Sequence, residues 1–334
     1  MERHGICVAG SLILDRFHAI ESYPDEGFLS TVKGTEFHIG GSGNLILDLA
    51  KLDSSLPVKV CALAGEDESG DVLLDVLSRY KSIDVADIKR AGETSVTLVM
   101  NAADTKQRTF FFIPGASNVF DITCIPWERI GSRIFHLEYL LLMQRVDAAD
   151  PEFGTHGARI LKAAKDRGMM TSFDMVSEKS ERVRDTVRPA LAYTDICCIN
   201  EAEAEAVTGI SLGEGGVLSE ARAKDALKVL ASLGVGHWAV IHSPVESYGY
   251  DVKADRFVAV RSLALPTGYI KGTTGAGDAF CSGILYGAHG GTDLEAAMRL
   301  AVAAAACSLS ESNGTDGMRS YREVMALYER YPLR

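Results

Sequence analysis

Short apolar runs and amphipathic stretches take turns along this chain, and no other feature restricts the fold as much. GICVAG, VKVCALAG, RIFHLEYLLL, MMTSFDM, DICCIN and HWAVIHS are rich in β-branched and apolar residues, as strands are. Between them, residues 42–53, 69–81, 154–167, 180–192 and 218–233 carry apolar residues at helical spacing. Alternation of this kind builds βαβ units, so the expected fold is α/β: a mostly parallel central sheet with helices on both faces. With 334 residues and 47% apolar content, the chain is large enough for a sizeable core, read here as a single domain over 1–334.

Two stretches break the rhythm. Residues 16–39 and 92–115 alternate apolar and polar residues around a turn signal at Ala103-Asp104, the pattern of exposed antiparallel strands. They read as a small β lid made by insertions, with a pair of ordinary edge hairpins as the plainer alternative. Strand alternation puts Phe110 and Phe112 on one lid face and Phe111 on the other. Burying both faces of a thin sheet needs a second surface.

Charge and cysteine content exclude several function classes. A net charge of -11 without a basic cluster argues against nucleic acid as a partner. Seven cysteines without CxxC spacing read as reduced thiols, Cys197 and Cys198 in a buried strand. The apolar stretch in MERHGICVAGSLILD is too short for a membrane span and too soon followed by charge for a signal peptide, so a cytoplasmic protein is expected. Eight histidines show no metal-ligand spacing. His136 and His242 read as satisfied core or pocket-wall residues, and Trp127, Trp238, Met169 and Met170 as packing.

The chemistry concentrates in KGTTGAGDAF, Lys271 to Phe280. A glycine-rich segment entering a helix offers unpaired backbone N–H groups and the positive end of the helix dipole, which suit a phosphate. No GxxxxGK[ST], dinucleotide fingerprint or GxSxG is present. Asp278 in a first helical turn is ordinarily a cap or dipole partner. Beside an anion cradle it would repel phosphate unless it had another task, and phosphoryl transfer supplies one. Asp278 accepts the proton of an attacking hydroxyl while the N–H groups of Gly275, Ala276 and Gly277 neutralise the transferred charge.

GTTGAGDAF resembles the C-terminal signature of the ribokinase-like (PfkB) carbohydrate kinases, DTxGAGDxF. Phe37 to Asp53 resembles the N-terminal signature of that family, Gly65 to Asp71 its GxDxxG turn, and Asn200 to Gly209 its NxxE motif, all in the family's order. The resemblance implies the ribokinase-like fold with its β lid and an ATP-dependent sugar kinase. Asp278 would be the catalytic base and Gly275 to Gly277 the anion hole, with Thr273 beside the nucleotide. Asn200 and Glu203 would help hold Mg²⁺ and its waters, and Asp15, Gly40, Gly41 and Asn44 would bind the acceptor. It further implies a homodimer joined through the lids.

Departures from the pattern carry their own expectations. Gly272 stands where an aspartate of the monovalent-cation site is usual, so potassium activation is not expected. Two residues, Ser42 and Gly43, separate Gly41 from Asn44 where three are usual, which reshapes the sugar-side loop. WAVIHSPVESYGY replaces a glycine-containing strand and turn, leaving Ser243 and Gly249 as the readings for the base site. Asp174 keeps the acid of a D-x-N strand end without its asparagine. Phe110, Phe111 and Phe112 keep open a nucleoside kinase of the same fold, and a non-catalytic sugar or nucleotide sensor is the reading from another class.

Overall fold

The computed structural model describes residues 3–105, 107–214 and 216–334. Nine strands form the path of the central sheet, in the order Arg256–Arg261, Glu246–Asp251, Trp238–His242, Ile196–Asn200, Met170–Met175, Ile134–Leu140, Ile6–Ile20, Val58–Ala64 and Ile83–Asp84. The pairs from Trp238–His242 through Ile83–Asp84 are parallel, and the two strands beyond Trp238–His242 are antiparallel.

Parallel strands covered on both faces must be apolar on both. Accordingly Phe135, Leu137, Phe173, Cys197 and Ile241 pack on one side against helices His156–Asp166, Arg182–Leu191 and Glu220–Ser232. Ile6, Val8, Ile134, Ile196 and Val240 pack on the other against helices Ser42–Leu52, Ala276–Gly290 and Leu294–Ser308. The five helices expected from periodicity occur within a few residues of their predicted bounds. Among the described residues no helix is long and apolar enough to cross a membrane.

The first strand does not stop at Asp15. It runs fifteen residues, from Ile6 to Ile20, leaving the central sheet and becoming the middle of a second sheet that overhangs it. Val32–Gly41 pairs antiparallel to its outer half, and Ser95–Ala102 pairs on the other side. Arg108–Ile113 completes this roof antiparallel to Ser95–Ala102. One expectation needs correction: residues 95–102 meet the first strand in parallel, because that strand enters the roof with the direction it has in the core.

Register fixes which side chains look inward. His38, Asp15, Thr97 and Phe112 form one row across the roof, and Glu36, Phe17, Val99 and Phe110 form the next. The opposite face carries Phe37, Arg16, Leu98 and Phe111. Asp67 pins the roof to the core. It caps the helix Glu68–Ser78 through the N–H of Gly70, and its other oxygen accepts from the N–H of Thr94 at 2.8 Å, one residue before the roof strand begins.

Candidate active site

Gly275 is the N-cap of helix Ala276–Gly290 and has φ +78°, the left-handed region that favours glycine. A Cβ there would also lie 2.4 Å from the Cα of Gly314, so the loop is closed to side chains from two directions. One turn on, Asp278 is held at both carboxylate oxygens. Tyr139 donates its hydroxyl to Oδ1 at 2.6 Å, and Asn44 donates Nδ2 to Oδ2 at 2.9 Å. Burial pushes the Asp278 carboxyl up, and these two bonds pull against it.

Asp15 stands on the inner face of the roof, paired with His38 and Thr97. A Cβ on Gly40 would lie 2.3 Å from Asp15 Oδ2, so glycine is required where the carboxylate folds over the neighbouring strand. Burial raises the Asp15 carboxyl to about 6 against a Thr97 hydrogen bond, with Asp278 adding to the rise. Gly41, at the N-cap of helix Ser42–Leu52, sets that helix so that Asn44 reaches Asp278. The structure therefore brings Asp15, Gly40, Gly41, Asn44 and Asp278 to one place.

A cleft of about 420 Å³ opens on the other side of the anion loop. Thr273, Ala276, Gly277, Asn200 and Ser243 line it, along with His242, which stacks on Phe280 at 4.7 Å. Leu263, Leu265, Val302, Ala305 and Leu309 form the apolar part of its wall, and Ser177, Glu201, Ser262 and Arg334 border it as well. Ser243 is present, but its hydroxyl donates to the Gly216 carbonyl at 2.6 Å and is engaged in its own turn. Gly249 is not in the cleft. It packs against Met298 and Leu294, where an added Cβ would fall 2.5 Å from the Met298 sulfur, so its strand faces a helix at that point.

Asn200 and Glu203 form a capping box. Asn200 accepts from the Glu203 N–H, Glu203 Oε2 accepts from the Asn200 N–H at 2.9 Å, and Ser177 donates to Glu203 Oε1 at 2.6 Å. Both carboxylate oxygens of Glu203 are thus already satisfied.

Two acids unremarked or only half-read in the sequence complete the site. Glu138 and Asp174, on adjacent strands, each place a carboxylate oxygen within 4.8 Å of the other and of one from Asp278. Glu138 is fully buried, and neither of its oxygens has a hydrogen-bond partner among the described residues. Burial and then the Asp278 charge push the Glu138 carboxyl well up; Asp174 is raised by burial, then by Glu203, Glu138 and Asp278. Asp48, one turn beyond Asn44, is also fully buried with both oxygens unpartnered. The available signal was an acid inside an otherwise apolar run, as in IFHLEYL and NLILDLA. His136, expected to be satisfied, is buried below Glu138 with both ring nitrogens unpartnered.

Oxygen-only donors crowded without compensating cations suit a hard, hydrated divalent ion such as Mg²⁺. By this test the residues present fit one: Glu138 has both oxygens without a partner among the described residues, and Asp174, whose Oδ1 accepts from the Met175 N–H, faces Glu138 and Asp278 beside it.

A buried carboxylate at a glycine-lined helix N-terminus, beside an apolar-walled cleft on an α/β sheet, is an arrangement that suits a phosphotransferase. Residues 3–320 match the profile of the pfkB family carbohydrate kinases, and the chain belongs to that family. Its fold resembles that of Arabidopsis thaliana ribokinase complexed with ribose and ATP, at TM-score 0.80 and 20% identity over 98% of this chain and 99% of that one. A Thermotoga maritima 2-dehydro-3-deoxygluconokinase aligns over 98% and 99% of the two chains, with TM-score 0.76 and 20% identity. A Methanocaldococcus jannaschii nucleoside kinase aligns over 99% and 100%, at 0.74 and 17%. At these identities the likeness speaks for the ribokinase-like fold.

Proposed function

We propose that this carbohydrate kinase transfers the γ-phosphoryl group of ATP to a hydroxyl of a small sugar or sugar derivative, with Asp278 as general base. The observation that carries the reading is the hold on Asp278, fixed by Asn44 and Tyr139 one turn from Gly275. Asp15 and Asn44 accept or donate to the acceptor hydroxyls, and the apolar-walled cleft takes the nucleotide base.

As the acceptor oxygen bonds to the γ-phosphorus, its proton passes to Asp278. The bridging P–O bond to the β-phosphate breaks, and ADP leaves with that electron pair. Backbone N–H groups of Gly275 to Gly277 and the dipole of the fifteen-residue helix behind them stabilise charge on the transferred group. Mg²⁺, when bound with the nucleotide, neutralises phosphate charge; Asp174, Glu138 and the Asn200–Glu203 pair are the residues that would hold it and its waters.

A second reading has its own support. Phe17, Phe110 and Phe112 share the inner face of the roof with Asp15, a platform on which a nucleoside base could stack.

Thermal-shift screening of sugars, sugar acids and nucleosides with a non-hydrolysable ATP analogue, followed by mass detection of phosphorylated product, separates the readings. The right acceptor raises the melting temperature and is phosphorylated. Asp278→Asn keeps nucleotide binding and loses about two to four orders of magnitude in kcat. Absence of phosphorylated product from every acceptor class, or more than about a tenth of wild-type turnover in Asp278→Asn, refutes the mechanism.

A further inference from the structure

Asn44 and Asp48 lie four residues apart on the helix Ser42–Leu52, one turn from each other on the same face. Asn44 directs its amide nitrogen to Asp278 at 2.9 Å, while its buried Oδ1 accepts from nothing among the described residues. Gly314 closes over that oxygen, and a Cβ there would fall 2.7 Å from it. Asp48 has no exposed surface, and neither of its oxygens has a partner among the described residues. Three acceptor atoms are thus buried on one helix face without a donor, an arrangement that costs stability unless one of them carries a proton.

No cation resolves the conflict. Lys51, on the same helix, gives its ammonium to the Thr315 carbonyl at 2.7 Å and to Asp316 at 3.8 Å. The other groups whose charge couples to Asp48 are acids and a thiol: Asp278 on the helix Ala276–Gly290, Glu138 on the strand Ile134–Leu140 and Cys307 on the helix Leu294–Ser308. Burial and then the Asp278 charge push the Asp48 carboxyl well up, against Lys51. Two acids therefore compete for one amide, which has a single oxygen and a single nitrogen with two N–H donors. An ionised Asp48 would draw that nitrogen away and turn the amide oxygen toward Asp278. A neutral Asp48 has an O–H to donate, and the amide then serves both acids at once.

We infer that Asp48 is a positioning residue for phosphoryl transfer: as the neutral acid it donates to Asn44 Oδ1 and so keeps the Asn44 nitrogen on Asp278. Its effect on rate rests on the kinase reading; its proton does not. With no exposed surface, Asp48 acts only through Asn44. The bond from Asn44 favours the ionised form of Asp278. Asp48 thereby keeps the base ready to take the hydroxyl proton as the acceptor oxygen bonds to the γ-phosphorus and the bridging bond to ADP breaks.

The test compares wild type with Asp48→Asn, which keeps a donor for Asn44 Oδ1, and Asp48→Leu, whose side chain branches at the same carbon and donates nothing. Asp48→Leu should lower kcat about 10-fold and shift the acidic limb of the kcat–pH profile upward, with the ATP KM within about 3-fold of wild type. Asp48→Asn should bring kcat back to within about 3-fold of wild type and return the limb. An unmoved limb in Asp48→Leu, or an Asp48→Asn as slow as Asp48→Leu, overturns the inference, because packing alone would then account for the loss. Infrared difference spectra judge the proton without turnover. At about pH 7, where an ordinary aspartate is ionised, wild type minus Asp48→Asn should show the carbonyl band of a protonated carboxyl. The same difference taken on an Asn44→Ala background should place that band at higher frequency, as its hydrogen bond is lost. Absence of the band, or a band that Asn44→Ala leaves in place, overturns the contact. If wild type transfers no phosphoryl group, the kinase reading fails, and these spectra still decide the bond between Asp48 and Asn44.

Discussion

Asn44 and Asp278 stand 234 residues apart and meet through a 2.9 Å hydrogen bond, which ties the first helix of the chain to the helix that opens with the anion loop. Tyr139 closes the same carboxylate from the central sheet. The Asp278 carboxylate is therefore held between three elements, and burial raises its proton affinity while the two donors lower it.

That balance predicts a pH effect. A bond to the ionised form favours it, so removing the Tyr139 hydroxyl raises the Asp278 carboxyl further. Tyr139→Phe should shift the acidic limb of the kcat–pH profile upward, with the plateau kept to within about 10-fold. An unmoved limb would mean that Asp278 is not the titrating base.

Glu138 should cost stability in the unliganded enzyme. Its carboxyl is raised in the folded state, so the folded form binds the proton more tightly. Its contribution is fully present below the unfolded pKa and is lost as pH rises through the folded one. Relative to wild type, Glu138→Gln should gain stability as pH rises above the ordinary glutamate value of 4.5, and little below it. Denaturant titrations across this range check it, and a pH-independent difference would contradict it.

Potassium should not activate this enzyme. A Cβ at Gly272 would lie 2.8 Å from the Ser312 carbonyl oxygen and 3.0 Å from its Cα, so the loop fills the space an aspartate would need. Gly272→Asp is expected to lower the melting temperature without creating potassium dependence. Rates in potassium and in tetramethylammonium at equal ionic strength should agree within about 2-fold. A several-fold potassium effect in wild type would show that other oxygens form the site.

The outer roof face predicts a homodimer. Phe37, Leu98 and Phe111 lie in one row with Arg16, Phe37 and Phe111 are 55% and 51% exposed, and Phe28 and Leu29 project from the neighbouring loop. An apolar row on an open sheet is a surface that needs covering. Light scattering at micromolar concentration should give twice the chain mass, and Phe111→Asp should give the monomer. A monomeric wild type would refute the pairing.

The sequence by itself determined the layered α/β fold, because period-2 and period-3.6 patterns are local and each segment carries its own. It also marked the anion loop and Asp278, since glycines that enter a helix beside one acid are contiguous. It placed Phe110 and Phe112 opposite Phe111 by alternation alone. Only the tertiary structure decided that the first strand serves both sheets, since continuation past Asp15 depends on partners at 32–41 and 95–102. It alone gathered Glu138, Asp174 and Asp278, whose proximity comes from strand register and helix placement. It also moved Gly249 out of the cleft and Arg108 onto Thr274. Burial, hydrogen-bond partners and charge compensation are properties of residues brought together from far apart in the chain, and no local pattern encodes them.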